Sequence, residues 1–356
     1  MSASKTHKFF FLFTFLLLGG CKDISLRPPT NNTAPTLPTT ARIAEPVSEQ
    51  PVTVIPLAGQ IAASQAEISG LTWYGNYLIL LPQYPSRFGT KGAAAVFALP
   101  KTDILAFLDG ETSQPLDLIK IPFISPELAT MVRGYEGFES IAFIGDIAFL
   151  TIESKPGAMS GYLMTGEIKP DLSELRVDTN NLTEILPQAD LSNMSDESII
   201  AAGEYLVTIY EANGANVNPN PTAHIFDPVT LQTKETIPFP NIEYRVTDAT
   251  SVDEAGRFWM INYFFTGDTK IKPATDILAE QFGEGPTHAQ YDTVERLVEF
   301  QFSQTAITMT GTPPIQLEIN DDHARNWEGI VRLDSRGFLL ATDKYPETIL
   351  GFVPLP

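Results

Sequence analysis

Thiols are almost missing from this chain: Cys21 is the only cysteine in 356 residues, so no disulfide within the chain can hold a domain together. Any exported domain must stand on its own core, which about 300 residues can supply. Positive charge is scarce, with 23 Lys and Arg against 43 Asp and Glu and a formal net charge of −20. With nothing like a basic patch, nucleic acid and anionic lipid head groups are excluded as direct partners. No Gly-x-Ser-x-Gly elbow, His-Glu-x-x-His or glycine-rich phosphate loop occurs. Long apolar runs are absent too, because the one from Phe9 to Leu18 is too short to span a bilayer and stay.

What that short run does fit is an export signal. Lys5 and Lys8 precede it and Gly19-Gly20-Cys21 follow, which is the charged, apolar and small-residue order of a cleaved leader. Leu18-Gly19-Gly20-Cys21 resembles the lipobox of bacterial lipoproteins, which implies cleavage after residue 20 and lipid on the Cys21 sulfur. The alternative is an ordinary cleaved signal followed by an incidental cysteine. Lipid attachment would anchor the exported chain to a bacterial membrane, at the periplasmic face or the cell surface. Residues 22–51 hold six prolines and five threonines and few large apolar side chains, so residues 21–51 read as anchor and semi-extended spacer. Such a spacer reaches from about 30 to about 90 Å.

From residue 52 to 356 the pattern is short apolar or alternating runs broken by glycine and proline, which is all-β. One hairpin recurs five times, at Glu67–Leu81, Glu139–Glu153, Glu197–Glu211, Asp248–Asn262 and Glu328–Asp343. Aligned on the turn glycines Gly75, Gly145, Gly203 and Gly256, one column reads Ser69, Glu139, Glu197, Thr250 and, after a longer turn, Glu328. The next column is Gly70, Ser140, Ser198, Ser251 and Gly329, small residues that suit backbones crowded about an axis. This predicts a β-propeller of five, or six, four-stranded blades. Expected third strands are Ala95–Leu99, Tyr162–Glu167, Ala223–Phe226 and Glu295–Phe302, and expected fourth strands Leu116–Phe123, Thr183–Leu186, Thr236–Pro240 and Ile315–Ile319. Val52–Leu57 would close the ring against Thr348–Val353. A two-sheet sandwich is the alternative fold.

Glu67-Ile68-Ser69-Gly70-Leu71, and Asn326-Trp327-Glu328-Gly329-Ile330 with Leu339-Leu340-Ala341-Thr342-Asp343, resemble the opening and closing blades of the phytase-like β-propeller domains. The resemblance spans about residues 55 to 355. That family often shows an Asp-Glu pair at the end of a second strand, where this chain has Ile152-Glu153-Ser154. A fainter similarity is to calcium-activated nucleotidases. Together they imply a propeller with calcium on its axis and phosphoester hydrolysis on one face.

The residues speak to the same face. Where the first and fourth hairpins lack an acid in the column, Glu67 and Asp248 stand two residues earlier, on the same side of a strand. Glu67, Glu139, Glu197, Asp248 and Glu328 are therefore expected to converge on the channel mouth as ligands of Ca²⁺, a cation that takes several oxygens. Two other readings stay open: Arg133, Arg245 and Arg325 neutralise the acids, or water solvates them. Second strands end in Gln83, Glu153, Glu211, Asn262 and Asp343, and the long loops follow on that face. Glu153, Glu211 and Asp343 are the candidates to place water. Arg133, Arg245, Arg325 and His323, with Lys155 and Lys344, are candidates to hold an anionic small molecule. Two functions follow: a metal-dependent hydrolase of phosphoesters or related esters, or a non-enzymatic propeller that holds a ligand or protein on its loop-rich face.

Overall fold

The computed structural model describes residues 47–89, 94–320 and 324–356. Cys21, the export segment 1–20, the spacer as far as residue 46 and His323 lie outside the described residues.

Two short strands come first, β1 (Glu49–Gln50) and β2 (Thr53–Ile55). Five units of consecutive strands follow. The first holds β3 (Ile68–Tyr74), β4 (Tyr77–Pro82), β5 (Ala94–Pro100) and β6 (Ile119–Ile124), and the second β7 (Tyr135–Ile144), β8 (Ile147–Ser154), β9 (Ser160–Ile168) and β10 (Leu175–Ile185). The third holds β11 (Asp196–Ala202), β12 (Tyr205–Tyr210), β13 (Thr222–Phe226) and β14 (Thr233–Pro238). In the fourth are β15 (Arg245–Ala249), β16 (Arg257–Phe264), β17 (Val294–Ser303), β18 (Ala306–Met309) and β19 (Ile315–Leu317); β20 (Trp327–Leu333), β21 (Gly337–Thr342) and β22 (Leu350–Pro354) end the chain. Short helices α1 (Lys101–Leu108), α2 (Leu128–Met131) and α3 (Ile277–Phe282) lie in connections.

Tight turns make the hairpins. Gly75, Gly145 and Gly203 have φ of +56°, +59° and +62°, where a side chain would be strained, and each sits between a first and a second strand. Neighbouring strands within a unit are antiparallel, and a parallel bridge of β6 to β10 joins the first two units edge to edge. The first strands touch one another in the cyclic order β3, β7, β11, β15, β20 and back to β3. Radially repeated antiparallel sheets around a common centre are the arrangement of a propeller, and the sandwich alternative is set aside.

Apolar layers fill the gaps between units. One layer packs Ile79 and Val96 on Phe138 and Leu150; another packs Phe149 and Leu163 on Ile199 and Leu206; a third packs Val207 and Ile209 on Phe258 and Val298. Trp259 and Leu297 meet Trp327 and Phe338, and the ring closes where Leu71 and Leu78 meet Val331 and Leu339. Full burial of each such side chain stabilises by about 1.5–3 kcal/mol, so these layers hold neighbouring units together.

The closing strand lies as expected, with Thr53, Val54 and Ile55 paired antiparallel to Phe352, Gly351 and Leu350. The spacer ends earlier than residue 51. Glu49 and Gln50 pair in parallel with Gln316 and Leu317, adding β1 to the outer edge of the fourth unit just before β2 joins the last. A carboxylate fixes this contact: Glu49 Oε1 accepts the backbone N–H of Thr287 and of His288, each at 3.0 Å, and Oε2 accepts Thr287 Oγ1 at 2.8 Å.

Candidate functional site

Every inner strand breaks its register at the same level. In four of them one residue lies between two paired ones: Ser69 between Ile68↔Pro82 and Gly70↔Leu81, Glu139 between Phe138↔Ile152 and Ser140↔Thr151, Glu197 between Asp196↔Tyr210 and Ser198↔Ile209, and Glu328 between Trp327↔Thr342 and Gly329↔Ala341. In β15 the break falls between Val246↔Asn262 and Ala249↔Met260, leaving Thr247 and Asp248 opposite one residue. A β-bulge frees a side chain from the in-and-out alternation and re-aims it. Ser69 Oγ donates to the Phe138 carbonyl and Thr247 Oγ1 to the Trp327 carbonyl, both at 2.6 Å, so these two bulges tie each strand to the one that follows round the ring. The other three bulges carry glutamates.

Those glutamates line a cavity of about 670 Å³ together with Gln83, Glu153, Arg245, Tyr263, Asn326 and Asp343, with Phe265, Tyr345 and Pro346 at its wall. Gln83 Nε2 donates to Glu139 Oε1 at 3.2 Å. Gly137, at φ +138°, leaves room for it, since a Cβ there would stand 2.3 Å from Gln83 Cγ. Asn326 Nδ2 donates to Glu328 Oε1 at 2.7 Å and Asp343 Oδ2 at 3.1 Å, while its own Oδ1 accepts the Tyr263 hydroxyl. Glu153 Oε1 and Asp343 Oδ1 are buried and have no hydrogen-bond partner.

Burial and mutual repulsion push these acids toward their neutral forms. Glu139 is raised well above the ordinary value by burial and then by Glu153; Glu197 by burial and then by Glu211; Glu328 by burial and then by Asp343. Glu153 is pushed up to about 8, by burial and then the charges of Glu211 and Glu136, and Asp343 to about 6, by burial and then the charge of Glu67.

Several expectations are corrected. Asp248 does not face this cavity: its Oδ2 accepts the Ile330 backbone N–H at 2.8 Å, and it occupies the small-residue column in place of Ser251. The hydroxyl of the bulge column is Thr247, not Thr250, because the fourth hairpin turn is longer, closed by Asp253 Oδ1 accepting the N–H groups of Ala255 and Arg257. Glu67 stands apart from the cavity wall, paired with Arg87 at 2.5 Å and Lys344 at 3.7 Å. Glu211 is fully buried behind Arg245, whose Nη1 it binds at 2.5 Å. That leaves Glu153 and Asp343 as the water-placing candidates on the wall.

The candidate anion binders are spent or misplaced. Arg245 also binds Asp268 through Nε at 2.6 Å, and Arg325 binds Glu295 at 2.8 Å. Arg133 is exposed and off the cavity wall, as is Lys155. Tyr263, Phe265 and Tyr345 line the cavity without any signal in the sequence beyond Tyr263 following Asn262, and Asn326, the first residue of the motif that holds Trp327 and Glu328, joins them there. Trp327 packs against the fourth unit, fully buried with Nε1 donating to Glu295 Oε2 at 2.7 Å.

The donor chemistry suits a hard cation: carboxylates and amide carbonyls, two of the carboxylate oxygens buried and unpartnered. Among the described residues no group of three or more His, Cys, Asp or Glu is arranged so that it could hold a metal ion as it stands.

No family model matches the sequence, and no curated protein does. Similar solved structures include a hypothetical protein from Leishmania major (12% identity over 86% of this chain and 90% of that one, TM-score 0.47). Two others are the RS223 β-xylosidase (7%, 85% and 94%, TM-score 0.47) and a GH43_1 enzyme from Xanthomonas citri complexed with xylose (8%, 85% and 90%, TM-score 0.47). At such identities and TM-scores these similarities carry nothing about activity.

Proposed function

We propose that the chain is a five-bladed propeller hydrolase, held to a bacterial membrane through lipid on Cys21, that cleaves an ester or phosphoester in the acidic cavity with a bound Ca²⁺. The observation that carries this is the wall itself: Glu139, Glu153, Glu197, Glu328 and Asp343 meet around one space whose guanidinium, Arg245, is already bound to two other acids.

Glu139, Glu197 and Glu328 would hold the ion. When bound, Ca²⁺ supplies a positive charge that polarises the scissile carbonyl or phosphoryl oxygen. The remaining two acids have separated proton affinities, which is the pattern of an acid and a base sharing a site. At neutral pH Asp343, at about 6, is mostly ionised and takes a proton from water, while Glu153, at about 8, still carries one for the departing oxygen. The water oxygen joins carbon or phosphorus, the bond to the leaving oxygen breaks, and Glu153 protonates that oxygen. Asn326 keeps Asp343 oriented. A non-enzymatic propeller that binds a ligand or protein on this face is the second reading, favoured by Phe265 and Tyr345, 48% and 63% exposed at the cavity.

Chromogenic esters and phosphoesters, assayed with Ca²⁺ and with EDTA, test the first reading. Turnover should need the ion and fall at least tenfold in both Asp343→Asn and Glu153→Gln; equal rates in parent and variants would sink it. For the anchor, Cys21→Ala should move the chain from the detergent phase to the aqueous phase, and continued palmitate labelling of that variant would rule the anchor out.

A further inference from the structure

We propose that the ligand of the acidic cavity carries a positively charged amine, an alkylammonium group seated among the wall carboxylates with its hydrocarbon part against Phe265 and Tyr345. This deepens the reading of the cavity as a binding site and rests on it.

Charge is the first argument. Five carboxylates line the space, and the single guanidinium among them is spent on Glu211 and Asp268. A polyanion would meet these acids with no free cation among the described wall residues to receive it, whereas an ammonium displaces their protons and takes the ionised carboxylates as partners. Size is the second. About 670 Å³ is far more than a bare ion needs and falls within the range of pockets that enclose small organic molecules. The site is also built rather than incidental: Glu153 is 4% exposed, lines the cavity, and its Oε1 has no hydrogen-bond partner. A donor from outside the protein is what that oxygen lacks.

The fourth argument is the wall above the acids. Phe265 follows β16 and Tyr345 follows β21, so loops of two units bring aromatic rings to the same space, and both remain exposed in a fold that buries most of its large aromatics. Aromatic faces attract cations, and the combination of rings with carboxylates suits an organic cation with a hydrocarbon part.

The test uses the full chain purified in detergent and freed of metal, with choline and n-butylamine as cationic probes and inorganic phosphate as the anionic one, followed by calorimetry. Choline or butylamine should bind and phosphate should not. Phe265→Ala and Tyr345→Ala, both at exposed positions that leave the core intact, should each weaken binding by about two- to fivefold. Glu153→Gln should weaken it further. Amine binding untouched by both aromatic variants would overturn the seating. No amine binding in a chain whose melting temperature still rises with Ca²⁺ would overturn the proposal and leave the cation site standing. No response to amines or to Ca²⁺ would overturn both.

Discussion

Arg245 shows how little freedom a buried charge has in this site. Its guanidinium bridges Glu211, which is fully buried, and Asp268, and so holds a β15 side chain against the ends of β12 and β16. Arg245→Met keeps much of the side-chain volume and strands Glu211 without a counter-charge. Removing one partner of a buried pair typically costs about 3–5 kcal/mol, and urea unfolding of the variant should show a loss of that order. A loss under 1 kcal/mol would mean that Glu211 finds its stabilisation elsewhere. Glu139 and Glu197 of the bulge column are legible in the sequence because they stand six residues before a turn glycine, and Glu328 joins them only through a longer turn. The partners of the arginines were not, since Arg245 reaches 34 residues back to Glu211 and 23 forward to Asp268, separations with no pattern in them. Asp248 and Thr250 were misread for a related reason: a longer turn shifts the fourth hairpin by three positions, and alignment on Gly256 hides the shift.

Strands were the most legible elements, because glycine turns bracket them and their apolar faces alternate. Ala223–Phe226 was expected and Thr222–Phe226 is found; Ile315–Ile319 was expected and Ile315–Leu317 is found. Bulges were not legible, since a bulge changes hydrogen-bond register without changing residue type, and β1 was not, since two residues beside Pro51 carry no periodicity. Yet the N-terminal segment is where the ring depends on few contacts. β1 covers the outer edge of the fourth unit and β2 that of the last, within a stretch of seven residues. Deleting residues 52–57 exposes the edge of β22 and empties the place of Ile55, which is 1% exposed. Deleting residues 28–45 removes only residues that the sequence assigns to a spacer. The first deletion should lower the melting temperature by several degrees more than the second, and equal melting would mean that β2 contributes nothing to closure.

At the scale of the whole molecule, a chain of formal charge −20 concentrates its costliest acids at one place, and protons or cations decide its stability there. An unperturbed glutamate holds its proton to about 4.5, whereas folded Glu153 holds one to about 8; for Asp343 the corresponding values are 3.8 and about 6. Between those limits the folded chain binds more protons than the unfolded one, so stability falls as pH rises through the window. Glu139, Glu197 and Glu328 are raised for the same reason and act in the same direction. Glu49 and Asp227 act oppositely. Burial works to raise Glu49, but the bonds from His288 and Thr287 outweigh it and leave its affinity lowered; Asp227 drops to about 2 through the Thr230 backbone N–H first and Lys234 next. Their contribution is present above about pH 4.5 and is lost as the solution is acidified below it. In EDTA the melting temperature should therefore peak near pH 5 and decline steadily to pH 8. Ca²⁺ replaces protons as the neutralising charge, so its stabilisation should be small at pH 5 and largest at pH 8, approaching about 2.7 kcal/mol at a hundred times its dissociation constant. Glu153→Gln should flatten the decline in EDTA, because a neutral side chain has no proton to lose. A melting temperature that rises from pH 5 to pH 8 in EDTA would show that the cavity acids are ionised and paired in the folded chain, and the cation reading would fall with that result.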